Sequence, residues 1–169
     1  MGTSQVPLPA TVLFAPDYPI VTERLRLRPF SRRDVDSVYS YRSRPDVAQY
    51  LFDPPMTHDQ CAEAVRLRTG QIAFSAEGDK VILAVERQED SRLIGEVSLI
   101  WRSVPDQQGE VGYIFHPDAH GRGYATEAQI NAFLDLLVEA GSLPQKLPLD
   151  QFWNADLIEE INDFDAEAV

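Results

Sequence analysis

The sequence has little of what marks a secreted, membrane-bound or disulfide-stabilised protein. It contains one cysteine, Cys61, so no disulfide can form within the chain. No apolar run approaches the roughly 20 residues of a membrane span. Met1 to Ala10 has neither a basic residue nor the continuous apolar segment of a secretory signal. We therefore expect a cytoplasmic protein whose 169 residues form one domain without disulfides or a metal.

Basic residues are also scarce. The 15 Lys and Arg against 27 Asp and Glu give a net charge of -12 at pH 7. This balance argues against nucleic acid as a partner, because phosphate binding needs clustered basic residues. The charge is uneven: arginines concentrate between residues 23 and 44, whereas the chain from Asp150 onward has seven acidic residues and no basic one. Either both segments are solvated surface, or one docks on the other within or between chains.

The pattern of apolar residues predicts an α/β (α+β) domain over residues 20–141. Residues 1–19, with four prolines, read as an extended leader, and residues 142–169 as an acidic C-terminal appendage. Closely spaced strand signals predict an antiparallel meander, and a helix with an apolar stripe follows a loop. The expected elements are a strand over Ile20–Pro29, helices over Arg32–Arg42 and Thr57–Thr69, strands over Val81–Glu86, Leu93–Trp101 and Glu110–Phe115, and a helix over Glu127–Ala140.

The two early helices are each predicted to bury one face. Ser31 is placed to cap the first helix, which would bury Val35, Val38 and Tyr39. The second helix would bury the side that carries Cys61, Ala64, Val65 and Leu67, and Gly70 would end it.

The segment from His120 to Thr126 combines two glycines with the predicted start of a helix. Glycine permits unusual dihedral angles and close approach of a ligand. The first turn of a helix offers unpaired N–H groups and a positive dipole end, which favour a phosphate or pyrophosphate. A short glycine loop also serves as a plain turn between a strand and a helix, so spacing alone leaves both interpretations open.

The run from Glu110 to Ala128, EVGYIFHPDAHGRGYATEA, resembles the acetyl-CoA signature of the GNAT superfamily of N-acyltransferases. That signature is Gln/Arg-x-x-Gly-x-Gly/Ala after the fourth strand. The opening TERLRLRPF at 22–30 and the sequence Leu93-Ile94-Gly95 resemble the branch that contains the RimJ/RimL ribosomal-protein acetyltransferases. The resemblance covers about residues 20–140 and agrees in the order of elements.

The resemblance implies acetyl-CoA as co-substrate and no metal. Backbone amides from Gly121 to Thr126 would hold the CoA pyrophosphate, and the edge of the strand Tyr113–Phe115 would pair with the pantetheine arm. His120 stands where the signature prefers Gln or Arg. The helix amides could still bind the pyrophosphate, because they do not depend on that side chain. The expected cofactor-binding residues are Tyr113, Ile114, Phe115, His120, Gly121, Arg122, Gly123, Tyr124, Ala125 and Thr126.

The implied reaction is direct attack on the thioester by a primary amine of a small molecule or a peptide N-terminus. The amine is protonated at pH 7, so a base or a water chain must take a proton. Glu110 is the first candidate for that base, and the alternative interpretation, which the residue alone favours, is a plain surface position on the strand. The family recognises the acceptor through the first two helices and their loop, here about Asp34 to Arg68. The sequence of this segment does not identify the acceptor.

The resemblance fades after Ala128. The family continues with a fifth strand, a helix and two further strands, and neither that strand nor an Asn-x-x-Ser-like segment is readable here. We therefore expect the C-terminal strands to be missing or replaced, with the edge of strand Glu110–Phe115 covered by the acidic segment, by CoA or by a second chain in a homodimer. The alternative function is a catalytically impaired CoA-binding or interaction protein. The pairs His116/His120 and His58/Cys61 lack a third ligand, so no metal site is predicted.

Overall fold

The structure is a computed structural model that describes residues 16–51, 53–103 and 108–128. A short 3-10 turn, Arg32–Asp34, precedes the first helix, and another, Pro117–Ala119, follows the last strand. A helix that we label α4 begins at residue 124 and is described through 128. The remaining elements are β1 Ile20–Val21, β2 Leu25–Pro29, α1 Val35–Arg42, α2 Pro45–Ala48, α3 His58–Arg68, β3 Lys80–Arg87, β4 Leu93–Ser103 and β5 Gln108–Phe115.

The strands form one sheet in the order β1-β2-β3-β4-β5, and each is antiparallel to its neighbours. The predicted meander is confirmed. The single strand predicted over Ile20–Pro29 is instead two strands, which pair with each other in the register Ile20↔Leu27. The Thr22 N–H donates to the Leu25 carbonyl at 3.0 Å, so a turn interrupts the extended chain.

Side-chain capping explains where the helices begin. The Thr57 hydroxyl accepts the Gln60 N–H, and the Gln60 side chain accepts the Thr57 N–H at 2.8 Å, which confirms the predicted start of α3. Before α1, the Asp34 carboxylate accepts the Ser31 N–H at 2.7 Å. The chain makes a 3-10 turn there, so the α-helix begins at Val35 rather than Arg32.

One residue on the buried face of each of α1 and α3 differs from the prediction. Tyr41 is fully buried, whereas Tyr39 is 39% exposed. Arg68 is 9% exposed, whereas Leu67 is 53% exposed. In both helices a residue with a polar end is buried in place of its predicted neighbour, because a buried carboxylate on β4, described below, contacts it.

The core lies on both faces of the sheet. On one face α1 and α3 pack against it, with Val38, Tyr41, Cys61 and Val65 buried beside Ala84. On the other face the segment after β5 returns to the sheet and buries Ala119, Tyr124 and Ala128 beside strand residues such as Leu83 and Val97. The loop that follows β5 is therefore anchored at both of its ends.

Several predictions fall outside the described residues. These are the leader up to residue 15, the apolar stripe beyond residue 128, and the acidic segment 142–169 with its expected lack of family strands. Within the described ranges, no helix has both the length and the apolar character to cross a membrane.

Candidate active site

The loop after β5 has the open, glycine-dependent geometry predicted for it. Gly121 and Gly123 adopt φ values of 68° and 72°, a left-handed region that other residues enter at a cost. Residues 120–123 are exposed. The first hydrogen bond of α4 runs from the Glu127 N–H to the Gly123 carbonyl at 3.1 Å. The N–H groups of Tyr124, Ala125 and Thr126 precede that bond, so the helix itself supplies no partner for them.

Strand β5 turns peptide groups away from the sheet beside this loop. The His116 N–H donates to the Ile94 carbonyl at 2.8 Å, and Ile114 lies opposite Glu96. Because hydrogen-bonded and outward-facing residues alternate in an antiparallel pair, the peptide groups of Tyr113 and Phe115 point away from β4. Within the described part of the sheet, β5 is the outermost strand.

The loop and this edge meet at one cavity. Its volume is about 340 Å³. The His120 Nε2 lies 3.2 Å from the Phe115 carbonyl. A carbonyl only accepts, so Nε2 carries the proton and the ring is held beside the strand edge. The lining residues are Val47, Tyr50 and Leu51 from α2 and its continuation, with Tyr113, Ile114, Phe115 and His120.

The model of the Acetyltransferase (GNAT) domain family matches residues 24–145, well over half of the chain. The chain belongs to the GNAT acetyltransferase family. The match spans β2 to β5, the glycine loop and the start of α4, so the predicted family and its mainly antiparallel sheet flanked by helices are confirmed.

Among curated proteins, the chain is similar to YnaD, an uncharacterized N-acetyltransferase of Bacillus subtilis (strain 168). They are 33% identical over 109 residues, which cover 64% of this chain and 59% of that protein. The chain thus spans about three fifths of the length of the curated relatives it matches.

Two solved structures illustrate the fold. A provisionally assigned ribosomal-protein-serine acetyltransferase from Vibrio cholerae superposes with a TM-score of 0.58 at 20% identity, covering 73% of this chain and 69% of that one. Spermidine N-acetyltransferase from the same organism, in complex with CoA and spermine, has a TM-score of 0.52 at 24% identity, with 68% and 63% covered. At these identities the likeness establishes the shared fold.

In this GNAT domain eight of the ten predicted site residues form two groups, and the other two, Tyr124 and Ala125, pack against the core. Tyr113, Ile114, Phe115 and His120 line the cavity. The exposed residues Gly121, Arg122, Gly123 and Thr126 surround the loop and the start of α4. The Tyr124 side chain is 7% exposed and packs in the core, so only its backbone can reach a ligand.

The loop is tied to the start of the sheet by Arg24, which sequence reasoning did not single out. Its guanidinium donates from Nε to the Glu127 carboxylate at 2.7 Å and from Nη1 to the Arg122 carbonyl at 2.9 Å. It also lies 4.7 Å from the centre of the Tyr124 ring. Burial acts to raise the pKa of Glu127, but hydrogen bonds from the Thr22 hydroxyl and from Arg24 outweigh it, so that pKa lies below its usual value.

Both histidines of this segment, His116 and His120, form hydrogen bonds with backbone groups. The His116 Nδ1 accepts the Asp118 N–H at 3.1 Å, which requires that nitrogen to be unprotonated. Burial lowers the pKa of His116 despite the nearby Asp118 carboxylate, so the ring is neutral at pH 7. Across residues 16–51, 53–103 and 108–128, no group of three or more His, Cys, Asp or Glu side chains is arranged to hold a metal ion.

Glu110 lies at the opposite end of β5 from the loop. It lies five residue steps from Phe115, about 17 Å along a strand. The Arg102 guanidinium contacts its carboxylate, with Nε at 2.8 Å, and both side chains are 53% exposed. Both guanidinium contacts go to Oε2, so the arginine occupies one of the two carboxylate oxygens. The role of Glu110 as a base stays a prediction.

A second carboxylate, Glu96 on β4, is buried beneath Ile114 of the cavity wall. It is 4% exposed, and its Oε2 accepts the Tyr41 hydroxyl at 2.8 Å. The Arg68 Nη1 lies 2.7 Å from the same oxygen as an ion pair without a well-aligned hydrogen bond. Burial raises the pKa of Tyr41 well above its usual range, and the charge of Glu96 adds to that effect. The sequence signal for this cluster is Arg68, which continues the face of Cys61 and Val65.

Proposed function

We propose that this chain transfers an acetyl group from acetyl-CoA to the primary amine of a small molecule or a peptide N-terminus. The observation that carries the proposal is a cavity lined by the outward-facing edge of β5 and by His120, the first residue of the exposed glycine loop, within a domain of the GNAT family. The opening segment 22–30 supports placing the chain in the RimJ/RimL-like branch. The ribosomal-protein-serine acetyltransferase neighbour agrees with that placement at the level of the fold.

The described residues fit acetyl-CoA as a substrate. The N–H groups at the start of α4 and around Gly121 and Gly123 suit a pyrophosphate, because they face solvent at the positive end of a helix. The peptide groups of Tyr113 and Phe115 suit the amides of a pantetheine arm, which would add to the sheet like a further strand. The neighbour that holds CoA shares this fold.

The proposed chemistry is a single displacement. The amine nitrogen attacks the acetyl carbonyl carbon, a C–N bond forms, and the C–S bond breaks. The nitrogen gives its proton to a base or a water, and the sulfur leaves as a thiolate that takes up a proton. The residues of this chain bind the donor through the loop and orient it along β5. The apolar walls of the cavity exclude water from the thioester.

The acceptor would enter beside α2. Val47, Tyr50 and Leu51 form that wall of the cavity, and Tyr50 and Tyr113 are 74% and 53% exposed. Exposed aromatic faces attract an ammonium group before it loses its proton. The spermidine N-acetyltransferase neighbour holds the amine spermine. A primary amine is therefore the acceptor class we propose.

Acetyl-CoA titration by calorimetry, paired with thiol release on a panel of primary amines, tests the proposal. We expect saturable binding and amine-dependent thiol release above the rate of hydrolysis without amine. Binding without turnover on any amine would favour the alternative, a catalytically impaired CoA-binding protein. No binding would overturn both functions.

Glu110→Gln tests the proposed base. If Glu110 takes the amine proton, the substitution lowers kcat by about 10²- to 10⁴-fold and shifts the pH–rate profile. Arg102→Gln is the matched control, because it breaks the same ion pair and leaves the carboxylate in place. Equal small effects of the two variants, with an unmoved pH–rate profile, would assign Glu110 to the ion pair alone.

A further inference from the structure

We propose that Arg24 is a positioning residue for acetyl-CoA, holding the glycine loop in the conformation that receives the pyrophosphate. The proposal rests on the proposed function for the identity of the ligand. It joins two observations, the bond from Arg24 to the loop backbone and the position of Glu127 in the first turns of α4.

The first observation concerns the peptide bond between Arg122 and the left-handed Gly123. The Arg24 Nη1 donates to the Arg122 carbonyl at 2.9 Å. In a trans peptide the carbonyl and the following N–H point in opposite directions, so the Gly123 N–H points away from Arg24. Because glycine tolerates either sign of φ, Gly123 by itself would let this peptide rotate. The guanidinium fixes its direction.

The second observation concerns charge. The Glu127 carboxylate accepts the Thr22 hydroxyl at 2.6 Å, the Arg24 N–H at 2.8 Å and the Arg24 Nε at 2.7 Å. Its side chain is 11% exposed. A carboxylate one turn from the helix start repels a phosphate bound there, since the two charges have the same sign. Arg24 places a positive charge between the carboxylate and the loop.

These contacts predict that Arg24→Gln impairs the use of acetyl-CoA more than the use of an acetyl donor without a pyrophosphate. We expect the Kd for acetyl-CoA to rise by about 10- to 100-fold, the range for loss of a charge-assisted hydrogen bond. S-acetylpantetheine carries the same thioester without the pyrophosphate. The ratio of kcat/KM for acetyl-CoA to kcat/KM for S-acetylpantetheine should therefore fall by a similar factor.

Two further variants separate the two roles of the side chain. Arg24→Lys keeps a positive charge but cannot hold both Glu127 and the Arg122 carbonyl, so we expect an intermediate Kd. Adding Glu127→Gln to Arg24→Gln removes the carboxylate charge and should recover at least about threefold of the lost affinity. A general folding defect would not be relieved by this second change.

Arg26→Gln is the matched control. Arg26 lies two residues after Arg24, and its side chain is 41% exposed. It forms an ion pair with Glu86 at 3.0 Å, and this pair does not involve the loop. We expect an unchanged Kd for acetyl-CoA. Three results would each overturn the proposal. These are an unchanged Kd in Arg24→Gln, an equal loss of kcat/KM with both acetyl donors, and no recovery of affinity when Glu127→Gln is added. If the parent protein turns over neither donor, the proposed function fails, and calorimetry with CoA still decides the role of Arg24.

Discussion

Gly123→Val is expected to abolish measurable acetyl-CoA binding, raising Kd by at least about 100-fold, while the protein still folds. Gly123 has a φ of 72°, which a β-branched residue enters only with strain. The loop would relieve that strain by rotating the adjacent peptides, which moves the Gly123 N–H and the first N–H groups of α4 away from the pyrophosphate. Calorimetric titration with acetyl-CoA measures the loss.

Gly78→Val is the control for backbone strain. Gly78 has a φ of 89°, and no atom lies within 4 Å of a Cβ built on it. Its N–H donates to the carbonyl of Trp101, at the other end of β4 from the glycine loop. Both variants should lose about 1–3 kcal/mol of unfolding free energy, and only Gly123→Val should lose affinity. Unchanged affinity in Gly123→Val would mean that the loop is only a turn.

Gly95→Ala is expected to cost about 3 kcal/mol of unfolding free energy and to weaken acetyl-CoA binding. A Cβ on Gly95 would overlap the Ile114 carbonyl oxygen and lie 2.8 Å from Cδ1 of Phe115. Neither obstacle can move alone, because both belong to the end of β5 that pairs with Gly95. The methyl group would push this end away from β4 and displace the outward peptide groups of Tyr113 and Phe115. Urea unfolding and calorimetry measure the two effects.

Gly112→Ala provides the comparison on the same pair of strands. There the Cβ would meet only the Ser98 Oγ, at 2.8 Å, a side-chain atom that can rotate away. We expect a cost below about 1 kcal/mol, relieved by adding Ser98→Ala. Equal costs for Gly95→Ala and Gly112→Ala would contradict the close approach of β5 to β4 at Gly95.

Much of the fold could be predicted from local patterns. Runs of β-forming residues between turn clusters predict β3, β4 and β5, and Thr57 predicts the start of α3. The interruption between β1 and β2 escaped prediction. Leu25 and Leu27 alternate with the arginines beside them, and this pattern predicts one strand over residues 20–29. The turn at Thr22 is visible only in its hydrogen bond to Leu25.

Buried polar side chains mark the limit of such patterns. Apolar character favours Leu67 over Arg68, and the spacing from Val35 and Val38 favours Tyr39 over Tyr41. Glu96 decides both cases, because its buried oxygen accepts the Tyr41 hydroxyl and pairs with Arg68. A residue 55 positions from Tyr41 in the chain cannot be assigned to it from spacing.

The candidate site divides in the same way. Local sequence is enough to predict the glycine loop, the helix start after it and the strand before it, since glycine stereochemistry and strand-forming preference act over a few residues. Two other features are visible only in the folded chain. Arg24 holds this loop through contacts that include Glu127, 103 positions away, and Gly95 lets β5 approach β4 closely. Those contacts depend on how the strands cross in space, because hydrogen bonds and steric overlap act over a few ångströms regardless of distance along the chain.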